Sequence, residues 1–299
     1  MGPPDGMKLV RLSVTLAAVL IAIAPLPEKA AELRPETLAA WEEHVKGADL
    51  RMQARLRPGH EFLWADEAPG RCQRLKKGEI LVSPETASGS LQVTGGLIHD
   101  WMGAAFIPGA TLESVLKVAH DYDHYQDFYT PVVVNSKQLA CSPAEQQFSM
   151  LWVQRVLFVT AVVENQYRGR DFRVNDTRRY GTVESTRVQQ VKAYGEAGER
   201  RLPPDQGDGF IWRLYSIVRY EERDGGVYIE LQAMVLSRDI PVSLRWLVKP
   251  VVTRLSRNSL VTSLQETREA VMLSGTVQSA LPNKSAASVS SSFAGVGAR

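Results

Sequence analysis

The stretch Phe210-Ile-Trp-Arg-Leu-Tyr-Ser-Ile-Val-Arg-Tyr-Glu-Glu-Arg-Asp-Gly-Gly-Val-Tyr-Ile-Glu-Leu-Gln-Ala-Met-Val-Leu-Ser-Arg238 reads as two strands around a tight turn. Asp224-Gly225 between two alternating runs is a strong short-range hairpin signal, because both central positions of the turn need a left-handed backbone. In the first strand Trp212, Leu214, Ser216, Val218 and Tyr220 share one face, and Arg213, Arg219 and Glu221 take the other. In the second, Val227, Ile229, Leu231, Ala233 and Val235 stand opposite Glu230, Gln232 and Arg238. Side chains alternate with a period of two, so the apolar sets are expected to point inward.

Working back from this hairpin, further strands are expected at 132–139, 146–154, 156–167 and 178–191, with no helix among them for about a hundred residues. Before them, Leu97 to Ile107 reads as a strand that ends at Pro108-Gly109. Thr111 then suits a helix N-cap, with Glu113 in the first turn and Leu112, Val115, Leu116 and Ala119 as an apolar stripe. A second short helix is expected at 122–128. Working forward, the pattern turns helical after Asp239-Ile-Pro241 and stays so to about Leu273, with Pro250 placed to kink or break it. Leu244, Leu247, Val251 and Leu255 would face the sheet. The expected fold is α+β: a seven-stranded curved antiparallel sheet around a long C-terminal helix, with two short helices after the first strand. Such a sheet has one face that needs cover, and the long helix is the only element large enough to supply it.

This order of elements resembles the START-like, or SRPBCC, superfamily, which includes polyketide cyclase-like and coenzyme Q-binding START proteins. The likeness spans roughly residues 95–272. It is carried by Phe106-Ile-Pro-Gly-Ala-Thr-Leu-Glu-Ser-Val-Leu-Lys-Val-Ala-His-Asp-Tyr-Asp, by Tyr129-Thr-Pro-Val-Val, and by Arg238-Asp-Ile-Pro with Trp246-Leu-Val-Lys-Pro. The resemblance implies a helix-grip fold with an apolar cavity, but neither one ligand nor one reaction. Alternation alone fits a solid core equally well; the resemblance favours a cavity. Its expected lining is Trp212, Leu214, Val218, Ile229, Leu231, Ala233, Leu247, Val251 and Leu255, with Arg187 as an anchor for an acidic group if it faces inward.

Outside this body, Lys8 and Arg11 precede the uncharged run Leu12 to Ala24. That is long enough for the core of an export signal and short of the roughly 20 residues that span a bilayer. Cleavage after Ala24, or nearer Ala30 or Ala31, would place the mature chain in the periplasm or outside the cell. The expected division is 1–31 signal peptide, 32–94 an N-terminal helix (35–56) and a connecting segment, 95–273 the helix-grip domain, and 274–299 a disordered Ser/Ala/Gly-rich tail. Export would also permit one disulfide between Cys72 and Cys141.

No catalytic signature is present. There is no Gly-x-Ser-x-Gly motif, phosphate loop or dinucleotide fingerprint. Only Arg187, Glu164 and Tyr220 offer themselves as an acid or base in a pocket. His120 and His124, with Asp123 and Asp127, have metal-compatible spacing, but Asp caps and His packs at a helix junction, so neither a metal nor a cofactor is expected. The net charge of +2 is small and scattered, which argues against a nucleic-acid partner. The expected partner is a hydrophobic small molecule, and transient membrane contact is compatible with carrying one. The oligomeric state is left open. The reading is thus a binding protein for a lipid, quinone or polyketide-like ligand. The alternatives are a cyclase/aromatase-type enzyme and an interaction protein with a filled core.

Overall fold

The computed structural model describes residues 31–142, 144–156, 159–240 and 245–280. The hairpin lies at its centre. β8 (Arg213–Arg223) and β9 (Gly226–Arg238) pair along their full length, with Arg223 opposite Gly226. Asp224 and Gly225 close the turn, with φ of 56° and 76°. Aspartate tolerates that conformation and glycine adopts it freely, so the strands can twist without splaying.

The seven expected strands are all present. In chain order they are β3 (Gly96–Pro108), β4 (Val133–Cys141), β5 (Gln146–Val156), β6 (Val159–Arg173), β7 (Arg178–Lys192), β8 and β9. Across the sheet they run β3-β9-β8-β7-β6-β5-β4, every pair antiparallel. Three short strands bring this sheet to ten among the described residues: β1 (Leu81–Pro84) and β2 (Ser90–Val93) against β3, and Arg200–Arg201 against β7.

Between β3 and β4, α3 (Leu112–Ala119) opens with a reciprocal cap. Ser114 N–H donates to Thr111 Oγ1 at 3.2 Å and Thr111 N–H donates to Ser114 Oγ at 3.1 Å. A 3₁₀ turn at Tyr122–His124 and α4 (Tyr125–Phe128) follow. The closing helix α5 runs from Arg245 to Ala280. It is not broken at Pro250, and it continues seven residues into the segment read as a tail; 281–299 lie outside the described residues. So do residues 1–30 of the expected signal. Ala31, placed at its end, pairs with Gly207.

The sheet is covered on both faces. α5 packs on one. On the other lie α1 (Pro35–Arg55), a 3₁₀ turn at Trp64–Glu67, and α2 (Arg71–Lys76). Trp41, Ala48, Met52, Phe62, Leu63 and Leu75 form a continuous core there with Ile98, Met102, Ile217, Tyr228, Met234 and Leu236. The expectation of one covered face is therefore corrected, and 58–94 is packed structure rather than a simple connector. The charged residues of this face made it look solvated, but they pair within the layer. Arg219 meets Glu230 at 2.9 Å, with both side chains enclosed. Glu230 also accepts N–H bonds from Trp64 and Ala65 at 2.9 and 2.8 Å. Asp100 takes His44 Nε2 at 2.8 Å and Gln232 Nε2 at 3.0 Å. Tyr215 donates to Asp49 at 2.6 Å. Buried polar groups persist only when satisfied in this way.

Candidate functional site

Between the opposite face of the sheet and α5 lies a cavity of about 1600 Å³. Its origin can be read from the helix. Leu260 and Leu264 seat directly on Gly103, where a Cβ would fall 2.9 Å from Leu260 Cγ and 2.7 Å from Leu264 Cδ1. This contact brings helix and sheet close along one line. Elsewhere the helix presents small side chains to the space: Ser256, Ser259, Ser263 and Thr267. Ser256 and Thr267 donate back to the carbonyls of Val252 and Ser263, so their hydroxyls are spent within the helix. Short side chains opposite a wide sheet leave volume unfilled. From Val251 to Thr267 the lining runs about 24 Å along the helix axis.

The walls are mainly apolar. β8 contributes Leu214, Val218 and Tyr220, β9 contributes Ile229, Leu231 and Ala233, and α5 contributes Val251 and Leu255. All of these but Tyr220 were named from the sequence as lining, and Tyr220 was assigned to the same face. Two expected lining residues differ. Trp212 precedes the start of β8 and leaves the alternation; its ring is buried with Trp41 and Leu236 on the other side of the sheet. Arg187 is exposed and lines nothing. The cause is a bulge: Gln166 pairs with Arg187 but Tyr167 pairs with Ser185, so Thr186 is an extra residue. Gly181 and Val183 line the cavity before it, and Lys192 lines it after, so the inward parity switches and Arg187 is turned out. The side chain of Leu247, like residue Leu244, lies outside the described set.

The wall that sequence reasoning passed over belongs to β5, β6 and the short helices. Phe148, Met150 and Trp152 alternate along β5, and Tyr167 stands opposite Phe148 on β6. Tyr122, Tyr125 and Tyr129 complete this end. The signal was available in the period-two spacing of 148, 150 and 152.

Polar groups gather at the two ends. Near the start of α5, Lys192 Nζ meets Asp208 at 2.6 Å, with Arg238 close by in the lining. At the far end, His120 Nε2 meets Asp171 Oδ2 at 2.8 Å. Glu266, on the helix, has its carboxyl pushed up to about 7, first by desolvation and then by Glu269. His99, on β3, is held neutral by burial, its pKa lowered to about 4. Its Nε2 lies 3.1 Å from Ser237 Oγ.

The other candidates separate. His120 and His124 do not share a helical face, because α3 ends at Ala119; His124 turns to Asp121 at 2.6 Å. Glu164 pairs with Arg201 away from the cavity. Cys72 and Cys141 are free thiols; Cys72 donates to Asp66 at 3.2 Å, and burial followed by that bond pushes its pKa up to about 11. Among the described residues no three His, Cys, Asp or Glu side chains gather as a metal site would require, and no helix is long and apolar enough to cross a membrane.

No protein-family profile matches the chain, and no curated protein matches it by sequence. Solved structures do match. A STAR-related lipid transfer protein from Xanthomonas axonopodis is 17% identical, covering 64% of this chain and 98% of its own, with a TM-score of 0.41. Human STARD10 is 12% identical over 76% and 88%, with a TM-score of 0.41. The Zhui aromatase/cyclase from Streptomyces is 15% identical over 60% and 98%, with a TM-score of 0.37.

Proposed function

We propose that this chain is an exported binding protein that holds a hydrophobic small molecule between the sheet and α5. The observation that carries the reading is the cavity of about 1600 Å³ with mainly apolar walls. Ligand sites are typically concave and apolar with a few placed polar groups. A filled core, which an interaction protein would have, leaves no such space. Export is read from the charged residues Lys8 and Arg11 and the apolar run after them.

Native mass spectrometry of protein purified from its own host tests the binding claim. A co-purifying apolar mass, displaced by a dansyl-labelled fatty acid that binds saturably, is the expected result. The absence of both a bound mass and saturable probe binding would overturn it. N-terminal sequencing of the protein from a cell fraction tests export: loss of the first 25 to 31 residues is expected, and an intact Met1 or Met7 on cytoplasmic protein would refute it.

A second reading, a cyclase-type enzyme using the same space, gains one observation: the His120–Asp171 pair stands in the cavity wall. An imidazole oriented by a carboxylate can take a proton from a bound carbon acid. Turnover of a co-purified ligand that stops in His120→Gln would favour this reading; an unchanged ligand would favour the carrier.

A further inference from the structure

The two ends of the cavity differ in charge. At the end nearest the start of α5, Lys192, Arg200 and Arg238 all line the space, and none of the three is buried. Lys192 and Arg200 are direct partners in the pairing of β7 with its short neighbour, so their side chains leave the sheet on the same face. Like charges directly opposite one another destabilise a sheet, so this placement is not explained by the fold. The cations gather around Asp208. Its Oδ2 accepts from Lys192 Nζ and from Gln190 Nε2, each at 2.6 Å. Arg238 is brought there by its backbone, whose N–H donates to Gly209 O at 2.8 Å. A Cβ on Gly209 would fall 2.7 Å from Arg238 Cβ and 3.0 Å from its Cδ. Desolvation raises the Asp208 carboxyl, yet the bonds from Lys192 and Gln190 and the charges of Lys192 and Arg238 hold it below its ordinary value. Asp208 serves Lys192, and Asp239 lines the same end. Among the described residues, Arg200 and Arg238 have no carboxylate within salt-bridge distance. The far end has the opposite character. Asp171 and Glu266 line it, and Arg170 there is taken by Glu145 at 3.2 Å.

We infer that the ligand is an amphiphile whose anionic acid head, a carboxylate or a phosphate, is held by Arg200, Arg238 and Lys192 at the end of the cavity nearest the start of α5. Its chain then runs along Leu214, Val218 and Leu231 towards the far end. This rests on the cavity being a binding site and adds the ligand's class and direction. Guanidinium forks match the paired oxygens of carboxylate and phosphate. Water reaches these cations, so an acid head placed among them keeps part of its hydration, which it would lose against apolar walls. The reverse orientation would set the head against Asp171 and Glu266.

Dansyl-aminoundecanoic acid and its methyl ester share one chain and differ in one charge. Fluorescence titration of each against the full-length protein tests the inference. The acid is expected to bind about tenfold more tightly than the ester. Arg200→Gln with Arg238→Gln should bring the acid down to the ester. Asp208→Asn removes the carboxylate that competes for Lys192 and should tighten acid binding several-fold. Displacement of the bound acid probe by myristate and by tetradecyl phosphate separates the two heads: the lower midpoint names the acid, and tetradecanol should displace far less than either. Four results would each overturn the acid-head assignment while the binding reading stands: equal affinities for acid and ester, a preference that survives the double substitution, no gain in Asp208→Asn, or tetradecanol displacing as well as the acids. If neither dansyl compound binds saturably, both readings fall.

Discussion

Arg219 and Glu230 are direct partners across β8 and β9, their charged groups 2.9 Å apart on the sheet face turned away from the cavity. The pair does more than neutralise itself. Glu230 also holds the N–H groups of Trp64 and Ala65, so one carboxylate fastens the 58–94 segment to the centre of the sheet.

Breaking that pair should be expensive. Glu230→Gln leaves the enclosed Arg219 without its counter-charge and is expected to cost about 3–5 kcal/mol. Arg219→Met combined with Glu230→Gln should cost less than the two single changes summed, because no charge is then left alone. Denaturant melts of the three variants check both statements.

Leu231→Trp is expected to project a ring into open space. In a solid core it would overpack and lose about 1–3 kcal/mol; here stability should hold within about 1 kcal/mol, while affinity for a dansyl fatty acid falls several-fold. A denaturant melt and a probe titration on the same sample separate the two cases.

His99 predicts an acid weakness. Burial holds its folded pKa at about 4 against an ordinary 6.5. Between those values the unfolded chain binds a proton that the folded chain refuses, so stability falls as pH drops from 6.5 towards 4. The loss is about 3 kcal/mol when the shift is converted at face value. Subtracting the His99→Gln stability curve from that of the parent across pH 4–7 should isolate it; a flat difference would refute the assignment.

Glu266 predicts the opposite slope. Its folded pKa of about 7 lies above the ordinary 4.5, so the folded chain keeps a proton that the unfolded one has lost. Its contribution is whole below 4.5 and is lost as pH rises through 7. Glu266→Gln should therefore melt at a higher temperature than the parent at pH 8 and at the same temperature at pH 4. Thermal scans at the two pH values decide it.

Much of the fold was legible in the sequence, for physical reasons that also mark where legibility ends. The Asp224-Gly225 turn and the alternation beside it specify β8, β9 and their inward faces, so the cavity-side positions of Leu214, Val218, Ile229, Leu231 and Ala233 are legible in the sequence. Alternation fails where backbone count changes. The extra residue Thr186 turned Arg187 outward, and the start of β8 at Arg213 released Trp212. The layer formed by α1 was hidden because Arg219, Glu221 and Glu230 look the same in sequence whether they meet water or each other. The cavity's size was hidden because Ser256, Ser259, Ser263 and Thr267 define it by what they leave out.

The outer layer ties the earliest-made part of the described chain to one of the last. Asp49 meets Tyr215 and Trp64 meets Glu230, each across 166 residues. On a ribosome adding about 5–20 residues per second, α1 therefore waits on the order of ten seconds or more for its docking surface to be made. Through most of that interval Trp41 and Met52, both destined for the core, have only β3 of its strands, with Ile98 and Met102, and lack Ile217, Tyr228, Met234 and Leu236 of β8 and β9. Contacts of such sequence separation also slow the search for the native state once the chain is complete. A fold whose first helix must outlast the synthesis of nearly the whole sheet is one that nascent-chain chaperones would meet with an apolar helix face still uncovered.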